Sequence, residues 1–136
     1  VQVGTRASGH ERGHWEGGLG VRQLWADEIR RDPDAALDTV LAHLHAVGAQ
    51  SVYFSNDIDG TDATWANATG TPEPDGLTPE IVVALIRRLG DEVGLCGGDI
   101  MEVAPGLGSP ATIELAVRYL RETIAAVLRD PSFRPA

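Results

Sequence analysis

The stretch from Ser51 to Gly76 reads SVYFSNDIDGTDATWANATGTPEPDG, and it decides the fold. Ser51 to Ser55 mixes β-branched and aromatic residues in a short run, which predicts a buried strand. Side chains two apart point the same way in an extended chain, so Asp57 and Asp59 are expected side by side where that strand ends. Two such carboxylates make a site for a hard divalent cation. A turn-rich loop follows as far as Leu77. Thr78 as N-cap and Pro79 at the first helical position then predict a helix with Val82, Leu85, Ile86 and Leu89 on its inner face, ended by Gly90.

The same alternation extends in both directions. Downstream, Gly94 to Val103 predicts a strand whose small residues Cys96, Gly97 and Gly98 admit a close neighbour. Ser109 and Pro110 start a last helix in which Ile113, Val117, Leu120, Ile124 and Leu128 recur at helical spacing. Upstream, Val1 to Thr5 and Gly20 to Trp25 predict strands, and Asp34 to Val47 a helix bearing Leu37, Val40, Leu41, Leu44 and Val47 at helical spacing. Strands alternating with helices imply an α/β fold, a mainly parallel sheet between helical layers, with ligands at the C-terminal ends of the strands. The Asp pair falls at one such end and Glu102 near another.

Bulk properties narrow the function. The 136 residues, 43% hydrophobic, fit one domain over residues 1–136. A formal charge of −9 argues against a nucleic-acid partner, since phosphate binding draws on clustered cations. All 11 basic residues other than His are Arg, a bias of composition rather than of mechanism. The single Cys96 can form no internal disulfide, which fits a reducing cytoplasm, and no apolar run is long enough to span a membrane. The chain opens on a strand-like VQVG rather than Met, as the later part of a longer product would.

The histidines do not form a motif. His10, Glu11, His14, Trp15 and Glu16 lie in a Gly-rich segment, Arg6 to Gly20, at spacings that match no tight ligand pattern, and they read as a mobile or substrate-side loop. His43 and His45 stand two apart on a helix and diverge, whereas a helical metal pair wants a spacing of three or four.

Three further features carry a resemblance: Asp57-Ile58-Asp59, then ATGTPEPDGL from Ala68 to Leu77, then GDIMEVAP from Gly98 to Pro105. In that order and spacing they resemble the second half of the ureohydrolase family, which comprises arginases, agmatinases, guanidinobutyrases and formimidoylglutamases. The likeness runs from about Val1 to about Arg129. It implies a three-layer arginase-like fold of which this is the C-terminal part, and a hydrolase acting on a linear guanidino compound, agmatinase- or guanidinobutyrase-like, to give urea and an amine. It implies two Mn2+ ions with Asp57 and Asp59 among their ligands. Glu102 would hold the substrate guanidinium, the alternative being a buried Glu paired with an Arg, and Thr71 would line the pocket or else stabilise the loop through its own backbone. It also implies a homo-oligomer, a trimer or hexamer, in the complete enzyme. A formimino substrate and a noncatalytic binding remnant remain as alternatives.

Departures from the family pattern matter as much. The family's other metal ligands come from earlier blocks of the type Gly-Gly-Asp-His and Asp-Ala-His-x-Asp, which this sequence lacks together with the family's proton-transferring His, so it holds half a site. Ala7, Ser8 and Gly9 stand where arginases place acidic residues after the Gly-x-Arg turn, which argues against arginine as substrate. Most relatives have a Pro after the residue matching Asp62, which is read as either a turn cap or an orienter of a ligand. Ala63 here predicts a less rigid loop. A haloacid-dehalogenase-type phosphotransferase would also explain Asp57-Ile58-Asp59-Gly60-Thr61, and Gly98-Asp99 mimics its later acidic motif, but it calls for a Lys that the chain does not have and leaves ATGTPEPDGL and EVAP unexplained. A calcium loop or a solvated turn accounts for fewer of these residues still.

Overall fold

The computed structural model describes residues 1–129. Strand β1 (Gln2–Thr5) pairs in parallel with β2 (Gln23–Trp25), and β3 (Val52–Asp57) pairs in parallel with β4 (Leu95–Met101). Helices α1 (Ala26–Arg31) and α2 (Pro33–Ala46) follow β2, α3 (Pro79–Glu92) joins β3 to β4, and α4 (Ala111–Arg129) closes the described chain. The expected parallel α/β arrangement is therefore present, as two separate strand pairs among the described residues.

Local chemistry sets the helix starts. The Asp32 carboxylate accepts the Ala35 amide at 3.1 Å, and Pro33 takes the first position of α2. Thr78 Oγ1 accepts the Ile81 amide at 3.4 Å ahead of Pro79 at the start of α3. Such caps are worth about 1 kcal/mol each. Helix α1, not foreseen in the sequence, begins where Glu28 turns back to accept the Trp25 amide at 3.0 Å.

One core joins the elements. Leu24, Ile29, Leu37 and Val40 pack with Ile58, Leu77, Ile86, Leu95 and Tyr119 in a contiguous buried cluster. Strand β3 is only half buried, because Tyr53 and Ser55 face outward while Phe54 and Asn56 face the packed side.

Three expectations are corrected. Gly90 does not stop α3, which continues to Glu92. Its role is close helix packing, since a Cβ there would lie 2.7 Å from the Ala126 Cβ of α4. The segment from Arg6 to Gly20 is not all loop, as His14–Gly18 forms a π-helical turn. On α4 the helical spacing is real, but the buried face is Thr112, Ala116, Tyr119, Thr123 and Ala126. The larger Val117, Leu120, Ile124 and Leu128 are 41–67% exposed. Small residues face β4 because Gly98 brings that strand close: a Cβ on it would lie 2.8 Å from Thr123 Cγ2. No helix among the described residues is long and apolar enough to cross a membrane.

Candidate metal and guanidinium site

The site starts from the register of β3 on β4. Asp57, the last residue of β3, lies opposite Met101, the last of β4, so Glu102 is the first residue beyond the neighbouring strand end. Asp57 and Glu102 therefore belong to one edge, the C-terminal edge, as a parallel pair requires.

Asp59 reaches the same place by another route than the one its spacing suggests. The strand stops at Asp57, and Ile58–Gly60 forms a single 3₁₀ turn. Ile58 is fully buried. Its side chain anchors the turn in the core, and burial of that size contributes roughly 1.5–3 kcal/mol. The flanking carboxylates are thereby turned outward together. Asp57 and Asp59 are close enough to share a hydrogen bond, and the Asp57 carboxyl sits above its usual pKa. Desolvation is the first cause, followed by the neighbouring negative charge of Asp59 and, more weakly, that of Glu102, with the Asp59 backbone amide acting in the opposite sense. Neither aspartate pairs with a basic side chain among the described residues. Two uncompensated carboxylates in contact fit the donor set of a hard divalent cation, whose charge would reverse that upward shift.

Glu102 stands alone. Its φ of +60° lies in the left-handed region, one of only two such non-glycine residues in the described chain. A conformation of that kind costs on the order of 1–3 kcal/mol and is held by its surroundings. The segment just beyond is pinned by the Ala104 amide, which donates to the Ala68 carbonyl at 2.8 Å. Glu102 is exposed and makes no ion pair among the described residues, so a buried Glu–Arg pair is not its role.

The loop between β3 and α3 is built on Asp62. Its Oδ1 accepts from the Thr64 amide at 2.9 Å and the Thr64 hydroxyl at 2.7 Å, and its Oδ2 accepts from the Gly76 amide at 3.2 Å. These bonds, the Thr64 hydroxyl first, hold its pKa below the ordinary value. Asp62 is thus a turn cap. Ala63 does not loosen the loop as expected: its amide donates to the Glu73 carbonyl at 3.0 Å, a bond that a proline could not make. Thr71 donates its hydroxyl to Asp59 Oδ2, so its present partner is one carboxylate of the pair.

Asp57, Asp59 and Thr71 line a cleft of about 980 Å³ that also touches Arg6, Ser8 and Trp15. His10 and His14 stack on each other with ring centroids 4.2 Å apart and do not line this cleft. No group of three or more His, Cys, Asp or Glu side chains able to hold a metal occurs among the described residues. Sequence reasoning missed two features. Arg6 donates to the carbonyls of Glu73, at 2.9 Å, and Asp59. Asp99 accepts from Ser55 Oγ at 2.8 Å and Tyr53 Oη at 3.0 Å, linking β3 to β4. The only available signal for the second was the alternation that puts Tyr53, Ser55 and Asp57 on one face.

The arginase family profile matches residues 1–126. The chain belongs to the arginase family. It is 39% identical over 108 residues to a guanidinobutyrase of Pseudomonas aeruginosa, covering 77% of this chain and 33% of that protein. It is 33% identical over 131 residues to an agmatinase of Chromobacterium violaceum, covering 96% of this chain and 38% of that one. Among solved structures, the proclavaminate amidino hydrolase of Streptomyces clavuligerus superposes with a TM-score of 0.77 at 34% identity, covering 94% of this chain and 41% of that chain. Arginase from Bacillus caldovelox, at 23% identity and a TM-score of 0.77, shows the shared fold, with 90% of this chain and 41% of that chain covered. The chain thus spans about two fifths or less of these relatives.

Proposed function

We propose that this arginase-family chain carries the second half of the active site of a hydrolase of linear guanidino compounds, agmatinase- or guanidinobutyrase-like, which releases urea and an amine. The observation that carries this reading is the pair Asp57 and Asp59, in contact and without a cationic partner, beside the unpaired Glu102 at the next strand end. Asp57 and Asp59 would hold manganese, expected as two ions in a complete site. When bound, that metal supplies hydroxide near neutral pH by lowering the pKa of water.

The protein's own groups do the rest. Thr71 fixes the Asp59 carboxylate, and Glu102 offers two oxygens to the two N–H groups of a guanidinium fork. That contact fixes the guanidinium carbon before attack. Hydrolysis then joins the water oxygen to that carbon and breaks its bond to the alkyl nitrogen, which leaves as the amine with a proton from water. A homo-oligomer, trimer or hexamer, and a cytoplasmic location accompany this reading, as does one ureohydrolase-like unit over residues 1–136.

A second reading, a noncatalytic binding remnant, is favoured by the lack of a three-ligand cluster among the described residues. Urea release separates the two. The 136-residue chain alone is expected to release none from agmatine, guanidinobutyrate or arginine. Joined to a segment bearing the Gly-Gly-Asp-His and Asp-Ala-His-x-Asp blocks, it is expected to act on at least one linear guanidino compound. Inactivity of the joined, metal-loaded protein across a guanidino panel would favour the remnant, or a formimino substrate.

A further inference from the structure

Arg6 follows β1 directly, more than fifty residues before the carboxylates, yet its side chain ends at their turn. One nitrogen of the guanidinium, Nη1, donates to the Glu73 carbonyl at 2.9 Å, and the other, Nη2, donates to the Asp59 carbonyl. The Glu73 carbonyl also accepts the Ala63 amide at 3.0 Å. A single planar fork therefore bridges the turn after β3 and the far limb of the loop that carries Thr71. Asp59 is held at both ends: by Arg6 at its main-chain oxygen and by the Thr71 hydroxyl at its carboxylate.

Arg6 is half buried and pairs with no carboxylate among the described residues. Its bonds go to main-chain carbonyls instead. The rigid fork of an arginine suits two separate carbonyls because its donors are fixed apart in one plane, whereas a lysine carries its three donors on one compact ammonium. We propose that Arg6 is a positioning residue for Asp59, fixing the direction in which that carboxylate meets a metal ion. The metal part of this inference rests on the reading of Asp59 as a ligand.

The test uses Arg6→Ala and Arg6→Lys, with amide hydrogen exchange in the 136-residue chain and, in the chain joined to the Gly-Gly-Asp-His and Asp-Ala-His-x-Asp blocks, Mn2+ titration followed by electron paramagnetic resonance. Leu77 donates its amide to the Gly60 carbonyl at 2.9 Å and Ala63 to Glu73, so these two amides report on the clamped turn and loop. In Arg6→Ala they should lose protection by about tenfold or more while Leu85 and Ile86 in α3 keep theirs. Mn2+ should bind several-fold more weakly, and Arg6→Lys should fall between the two. Unchanged protection at Ala63 and Leu77, or a loss shared equally by α3, overturns the proposal. If the unsubstituted joined protein binds no Mn2+ but the local exchange effect is present, Arg6 still positions the Asp59 turn, and the ligand reading of Asp59 is what fails.

Discussion

Tyr119 and Thr61 give the sharpest stability prediction, because their bond props the turn that bears Asp59 against α4. The two hydroxyls lie 3.0 Å apart, and both residues are almost wholly buried, at 0% and 1% exposure. In Tyr119→Phe the Thr61 hydroxyl loses this partner inside the core. A buried hydroxyl left unpaired costs about 1–3 kcal/mol, so a loss near 2 kcal/mol is expected, a fall in Tm of roughly 8 °C for a chain of this size. Thr61→Val should cost a similar amount. The double variant removes both hydroxyls and should be much less destabilised than the sum, with a coupling of about 2 kcal/mol. Burial also pushes the Tyr119 phenol up to about 12 from 10.0. A phenol raised by folding contributes stability that is complete below pH 10 and is lost as pH rises through 12, about 3 kcal/mol in all. Urea denaturation followed by circular dichroism should thus give a steeper alkaline loss in the unsubstituted chain than in Tyr119→Phe. A coupling below about 0.5 kcal/mol, or equal alkaline slopes, would refute the reasoning.

Other consequences follow from packing and charge. A Cβ on Gly76 would meet the Asp62 nitrogen at 2.4 Å and the Thr61 carbonyl carbon at 2.7 Å, both main-chain atoms that cannot rotate away. Gly76→Ala should cost about 3 kcal/mol or more by thermal unfolding, against under about 0.5 kcal/mol for Gly13→Ala, where nothing lies within 4 Å. Arg87 grips Glu122 through two bonds of 2.8 and 2.7 Å across α3 and α4, but its side chain is 57% exposed. Glu122→Gln should cost no more than about 1 kcal/mol, and that cost should shrink in 1 M salt as measured by urea unfolding.

The elements legible in the sequence were those fixed by local chemistry. Pro33 and Pro79 mark helix starts that the structure keeps, and the run before Asp57 is a strand. What sequence could not supply came from contacts distant along the chain. Gly90 looks like a stop until Ala126 of α4 is brought against it. The apolar spacing on α4 selects its bulky side chains, whereas the close approach of Gly98 admits only the small ones. Alternation correctly put Asp57 and Asp59 together, but a 3₁₀ turn anchored by Ile58 joins them instead of an extended strand. The Arg6 fork spans 53 residues to Asp59, a separation at which no local pattern speaks.

Manganese content measured beside turnover tests the assignment of roles most directly, in the chain joined to the two absent ligand blocks. Glu102→Gln is nearly the same size but loses the charge and one acceptor of the bidentate pair. Charge-assisted bonds are worth roughly 1.5–3 kcal/mol each, so kcat/KM should fall about 100-fold or more with manganese per chain unchanged. Asp59→Asn should instead lower manganese per chain first, with activity partly restored by excess Mn2+. The opposite pattern, metal lost in Glu102→Gln and retained in Asp59→Asn, would contradict the account and make Glu102 a ligand.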